Sequence, residues 1–176
     1  MYPALRFGWH YWRAKDMSKL ELEDVHEFEM RCHPGDIDFW MEMNNGRVLT
    51  LYDIGRLSWM RRVGAIDTFK DKGWGITVAG STPRYRRRVR LFNKFRLRTG
   101  VIGRDERFIY MMQSMWLGET CCNSALLRLA ATDESGIVAT DRIADAFGRP
   151  DWRPELPRWV QGWIDNEVHR TWPPEV

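Results

Sequence analysis

The chain has little of what several protein classes require. Only three cysteines, Cys32, Cys121 and Cys122, occur in 176 residues, so they cannot all pair internally. Cys121 and Cys122 are adjacent, and on an extended segment adjacent side chains point to opposite faces. A disulfide scaffold is excluded, and a reduced, cytoplasmic setting is expected. No stretch approaches the ~18 consecutive apolar residues of a membrane span, so no integral membrane segment is expected. The opening, Met1-Tyr-Pro-Ala-Leu-Arg-Phe-Gly-Trp-His10, lacks the apolar core and cleavage pattern of a secretory leader. No Gly-x-Ser-x-Gly elbow, P-loop or internal repeat is found. Proline is concentrated in the tail from Pro150 to Pro174, and no low-complexity linker divides the chain.

What is present is apolar and aromatic. The composition is 44% hydrophobic and 13% aromatic, with ten tryptophans. This much apolar surface must be buried, which excludes disordered and collagen-like readings. The length suits one domain with one sizeable core. The net charge of +3 is unevenly spread. Arg84 to Arg98 holds eight basic residues and no acid, whereas Glu21 to Glu29 is mostly acidic. The basic block suits a phosphate-bearing partner and equally a solvated strand face. Its aromatics, Tyr85, Phe92 and Phe95, are spaced like strand core residues, so no nucleic-acid partner is expected.

Residues 3–15 carry Leu5, Phe7, Trp9, Tyr11 and Trp12 beside Arg6, Arg13 and Lys15, and read as a short helix. Such a helix can lie on a membrane surface or dock on its own domain or a partner subunit. His26 to Cys32 alternates strictly, with Phe28, Met30 and Cys32 on one face, as in a half-buried strand. His26 falls on the inward side and is read as a core histidine. Asn44 and Asn45 offer caps to a helix reaching about Val63, apolar nearly all round and therefore buried, with Gly64 as its stop. Extended segments follow at 76–79, 84–89, 95–101, 108–116 and 121–131, joined by short turns that favour antiparallel pairing. On this reading Arg84, Arg86, Arg88 and Arg90 share one strand face. Leu156, Trp159, Val160, Trp163, Ile164 and Val168 recur at helical spacing. The expected division is an N-terminal extension (1–24), a domain (25–140) and a C-terminal helical appendage (141–176). A sheet wrapping one helix leaves edge strands open, so a homodimer or dimer of dimers is expected.

The segment that carries chemistry is His33-Pro-Gly-Asp36-Ile-Asp38-Phe-Trp-Met-Glu42-Met-Asn44-Asn45-Gly46-Arg, continuing to Asp53 and Arg56. A helix N-terminus presents unpaired N–H groups and partial positive charge. A thioester oxygen placed there is stabilised as an oxyanion, Asn45 and Gly46 shape that site, and Gly46 permits close approach. A carboxylate a few residues upstream can bend over the same spot, and Asp38 is the candidate. It serves as general base, as nucleophile, or only as a loop cap. Asp53 lies one turn from Arg56 and is read first as its ion-pair partner and second as a reserve base. His33, Asp36, Asp38 and Glu42 fit no strong metal motif, and no metal is expected.

This segment resembles the signature of hotdog-fold acyl-CoA thioesterases, the group around 4-hydroxybenzoyl-CoA thioesterase, and within it a bacterial branch whose helix begins His-Met-Asn-Asn-Gly-Arg-Tyr-Leu. Asp36, Asp38, Asn44, Asn45, Asp53 and Arg56 fall at the matching spacings. Pro83 to Arg98 is similar to the strand pair after the helix, and strand order agrees over residues 25–131. The resemblance implies an α+β hotdog fold, a long central helix wrapped by a five- to six-stranded antiparallel sheet. It implies hydrolysis of an acyl-CoA or acyl carrier protein thioester, with Asp38 catalytic. No cofactor is implied beyond coenzyme A as part of the substrate, whose phosphates Arg87 and Arg90 would hold. Two positions depart from the pattern: Glu42 stands for the usual His, and Arg88 for the usual Pro. Glu42 keeps open a non-catalytic module that binds acyl-CoA. A hotdog dehydratase needs a His in the helix region, and none occurs between His33 and His169.

Overall fold

The computed structural model describes residues 3–175. Met1, Tyr2 and Val176, the outermost residues of the two flanking segments, lie outside the described residues. The chain runs α1 (Ala4–Lys15), β1 (His26–Arg31), a 3₁₀ turn (Pro34–Asp36), α2 (Asn45–Arg62), α3 (Ala65–Lys72), β2 (Gly75–Tyr85), β3 (Lys94–Arg104), β4 (Ile109–Leu117), β5 (Thr120–Asp133), β6 (Gly136–Ile137), α4 (Thr140–Ala146) and α5 (Arg158–Glu167). One antiparallel sheet has the order β1-β3-β4-β5-β2, with β6 added to β5. The sheet wraps α2, as a hotdog layout requires.

The long helix starts and stops where its caps dictate. Asn44 Oδ1 accepts the N–H groups of Gly46 (2.9 Å) and Arg47 (3.3 Å), and Gly64 takes φ 77° just beyond the last turn. Leu51, Tyr52 and Ile54 are fully buried against Leu97, Met111, Met115 and Leu127 of the sheet. Gly55 marks the closest approach, because a Cβ there would collide with Leu97 and Thr99. Two hydrogen bonds pin the helix to the sheet beside it. Gln113 Nε2 donates to the Tyr52 carbonyl (2.8 Å), and the Tyr52 hydroxyl donates to Asn123 Oδ1 (2.6 Å).

The outer face of the sheet is covered in part by α5. Its Val160 packs with Tyr110 and Leu126, and the Arg128 guanidinium lies over the Trp163 ring at 5.3 Å. At the other end of the chain α1 docks on the body. Tyr11 Oη accepts from Arg61 (2.8 Å), Arg6 pairs with Asp36 (2.6 Å), and Ala14 is buried.

Three expectations need correction. The segments 76–79 and 84–89 are not separate strands, since β2 is continuous from Gly75 to Tyr85. Pro83 looks like a break, but β2 is an edge strand, where a missing N–H is tolerated. After Tyr85 the ladder ends because the N–H groups of Arg86 and Arg87 both turn onto the Cys122 carbonyl (2.8 and 2.9 Å). Arg84, Arg86, Arg88 and Arg90 therefore do not share a strand face. Two short helices, α3 and α4, were not expected. They have eight and seven residues, too short for periodicity to register.

His26 is buried and anchors the seam under α1. Its Nδ1 accepts from Arg62 (2.8 Å), and its ring stacks on Phe28, which also meets His10. Burial, and then the Arg62 charge, holds His26 down at about 4. Burial, and then Arg6 and Arg13, hold His10 down at about 4 as well. Both rings stay neutral in the fold but take protons in the unfolded chain below the ordinary 6.5. Stability is thus full above about pH 6.5 and is lost as pH falls toward 4. For His26 the displacement corresponds to about 3 kcal/mol. The urea midpoint is expected to drop clearly between pH 7 and pH 5. A midpoint that does not move would show that neither ring resists protonation.

Candidate active site

The loop entering α2 folds as a tight hairpin. Ile37 bridges Met43, the Asp38 N–H donates to the Glu42 carbonyl (2.9 Å), and the Met41 N–H donates to the Asp38 carbonyl (3.1 Å). Met41 sits at φ 60°, a left-handed conformation unusual for a bulky residue. Asp38 is half-buried at the base of this turn, and its Oδ1 accepts the Trp40 N–H (2.8 Å). A second loop, 86–93, lies alongside: the Met43 N–H donates to the Val89 carbonyl (2.8 Å), and Glu42 bridges Arg90.

Between these loops and the start of α2 is a cleft of about 160 Å³ lined by Glu42, Asn45, Val48, Tyr85, Arg87 and Asn123, among others. The structure brings Asn45 and Arg87 together here. Asp38, Gly46, Asp53 and Arg90 are not among the lining residues. Among the described residues the Asn45 N–H is the first-turn donor left without a protein partner, because Asn44 holds those of Gly46 and Arg47. The Asn45 carbonyl accepts from the Tyr85 hydroxyl (3.3 Å). Burial raises the Tyr85 hydroxyl above its ordinary value and Tyr52 far above it, so both stay protonated donors. Asp53 is about two turns along α2, with Oδ1 2.6 Å from the Arg56 guanidinium.

Sequence reasoning did not see that Glu42 and Arg88 meet. Arg88 Nε is 2.7 Å from Glu42 Oε2, so the two departures from the family pattern form one ion pair. Their opposite charges were the available signal. Asp36 also proves central to the loop. It is 2% exposed, pairs with Arg6 (2.6 Å) and Arg47 (3.3 Å), and accepts the His33 N–H (2.9 Å). Among the described residues no group of three His, Cys, Asp or Glu is placed to hold a metal.

A family model described as the thioesterase-like superfamily matches residues 32–164, from just beyond β1, through the cleft, into α5. The chain belongs to this superfamily. Among curated relatives, protein THEM6 of Xenopus laevis is 34% identical over 144 residues, covering 82% of this chain and 69% of the relative. Among solved structures, a probable thioesterase from Bartonella henselae has a TM-score of 0.60 at 21% identity, covering 66% of this chain and 98% of that one. The DHNA-CoA thioesterase of Staphylococcus aureus has a TM-score of 0.63 at 12% identity, covering 84% of this chain and 96% of that one. At these identities the two structures establish the hotdog fold. Within the thioesterase-like superfamily, the helix-start cleft and its Glu42–Arg88 pair are the features by which this chain's chemistry is to be read.

Proposed function

We propose that this protein hydrolyses the thioester of an acyl-CoA, or of an acyl carrier protein, to a carboxylic acid and a free thiol. The observation that supports this reading is the cleft at the start of α2, lined by arginines and by Asn45, whose N–H has no protein acceptor among the described residues. The thioester carbonyl oxygen sits on that N–H. Asp38 stands in the hairpin beside the cleft, its backbone N–H on the Glu42 carbonyl of the cleft wall; its carboxylate takes a proton from a water on that side, and the hydroxide adds to the carbonyl carbon. The tetrahedral oxyanion forms on the Asn45 donor and the helix N-terminus. Collapse breaks the C–S bond, and the thiolate leaves with the proton. Asp38 as nucleophile gives an acyl-enzyme anhydride that water then opens, with the same products.

Arg87 holds the nucleotide phosphates of coenzyme A from the cleft rim, and Arg90 assists from the adjoining turn. A second copy of the chain pairs along the exposed edge of β2, giving a homodimer or a dimer of dimers. Three free cysteines favour a reducing, cytoplasmic setting.

The test is thiol release from a panel of short, long and aromatic acyl-CoAs. Arg87→Ala is expected to raise KM for acyl-CoA roughly fivefold, about 1 kcal/mol for an exposed charge contact, with kcat little changed. It should leave KM unchanged for acyl thioesters of N-acetylcysteamine, which lack the phosphates. Equal effects on both substrates would remove Arg87 from phosphate binding. One observation favours a second reading, a module that binds acyl-CoA without turnover: the Glu42–Arg88 pair lines the cleft where the family pattern has His and Pro. Binding without thiol release on any substrate would establish it.

A further inference from the structure

The two faces of α1 are used in an unusual way. The face against the body is polar and aromatic. Arg6 binds Asp36, Tyr11 binds Arg61, and His10 lies on Phe28 at 4.7 Å. The outward face is apolar, with Leu5, Trp9 and Trp12 exposed by 92%, 56% and 58%. A helix that served only to cover its own domain would turn these three inward. Their i, i+4, i+7 spacing makes one stripe, and the Trp9 and Trp12 rings lie 5.8 Å apart.

The charges around the stripe are ordered. At about 100° per residue, Arg13 and Lys15 fall roughly 80° to either side of it. Helix α1 contains no acidic residue, and the first acid is Asp16 at its C-cap. Among the described residues neither Arg13 nor Lys15 has an ion-pair partner; Arg6 is already committed to Asp36. Tryptophan and leucine on the outer line with cations on both flanks match an interface between acyl chains and anionic headgroups. A protein partner gripping a single convex row would need a groove of its own and no flanking cations. The first turn of α1 is tied through Arg6 and Asp36 to the hairpin whose tip, Phe39, Trp40 and Met41, is also exposed.

We propose that α1 is a peripheral docking element for an anionic phospholipid surface, lying in the interface on Leu5, Trp9 and Trp12 with Arg13 and Lys15 on phosphate groups. With 12 residues α1 is about 18 Å long, against a hydrocarbon core of about 30 Å, so its contact is one of attachment to a surface. The inference stands independently of thioester hydrolysis.

The experiment uses the full chain and vesicles of phosphatidylcholine with and without phosphatidylglycerol. The wild type is expected to co-sediment with the anionic vesicles, with tryptophan emission shifted to the blue, and to bind neutral vesicles at least about tenfold more weakly. Trp9→Ser/Trp12→Ser is expected to lose binding by on the order of tenfold or more with an unchanged thermal midpoint, since both side chains are exposed. Arg13→Glu/Lys15→Glu is expected to lose on the order of tenfold on anionic vesicles and nothing on neutral ones. Wild-type protein that ignores anionic vesicles overturns the proposal, as does equal binding by the tryptophan variant. A fall in oligomeric state of the tryptophan variant, seen by sedimentation without lipid, overturns it in favour of a second copy seated on the stripe.

Discussion

Replacing Asp38 by Asn is expected to slow thiol release by about 10²–10⁴-fold, the usual loss when a general base is removed. The substitution is suited to its purpose because Asn keeps the geometry of the turn. Its Oδ1 can still accept the Trp40 N–H that Asp38 accepts at 2.8 Å, and the backbone bonds to Glu42 and Met41 do not involve the side chain. The thermal midpoint should therefore stay within about 2 °C of the wild type, corresponding to less than 1 kcal/mol. A rate left intact would move the chemistry to another carboxylate. Glu42, which lines the cleft, would then come before Asp53, which is held by Arg56 two turns away.

Asp36, two residues earlier, is expected to behave in the opposite way. Asp36→Asn keeps an acceptor for the His33 N–H but places a neutral amide between Arg6 and Arg47. Breaking a buried ion pair from one side typically costs about 3–5 kcal/mol. Both guanidinium groups retain some solvent, so the lower end applies here. A loss of about 3 kcal/mol corresponds to a fall in Tm of roughly 6–12 °C for a chain of this length. It should appear in urea unfolding as a lower midpoint, with α1 loosened from the body. A change below about 1 kcal/mol would show that the two arginines are held by other groups.

The contrast between these neighbours shows what the sequence made legible. Spacing placed both carboxylates in the loop before α2, and the caps at Asn44 and Gly64 bounded that helix to within a residue or two. The alternation through β1 and the periodicity of α5 were equally plain, because one face of each meets the core. Burial of Asp36 was not legible, since its partners Arg6 and Arg47 come from two different helices. The basic block misled for a related reason. Charges alternate along Arg84 to Arg90 as on a strand, yet the backbone leaves the sheet after Tyr85 to close the cleft. Glu42 and Arg88 stand far apart in the chain and declare their relation only when the loops meet.

The anchoring of α2 bears on how this protein can change over evolutionary time. Gln113 and Asn123 fasten the helix to two strands, and Gly55 leaves no room for it to roll. Its N-terminus is consequently a fixed point. Drift toward new acyl groups should therefore be written in the hairpin at 37–43 and the loop at 86–93, which touch chiefly by backbone bonds and admit exchange at little cost to the core. Paralogues with different substrates are expected to share the helix and to differ in these two loops.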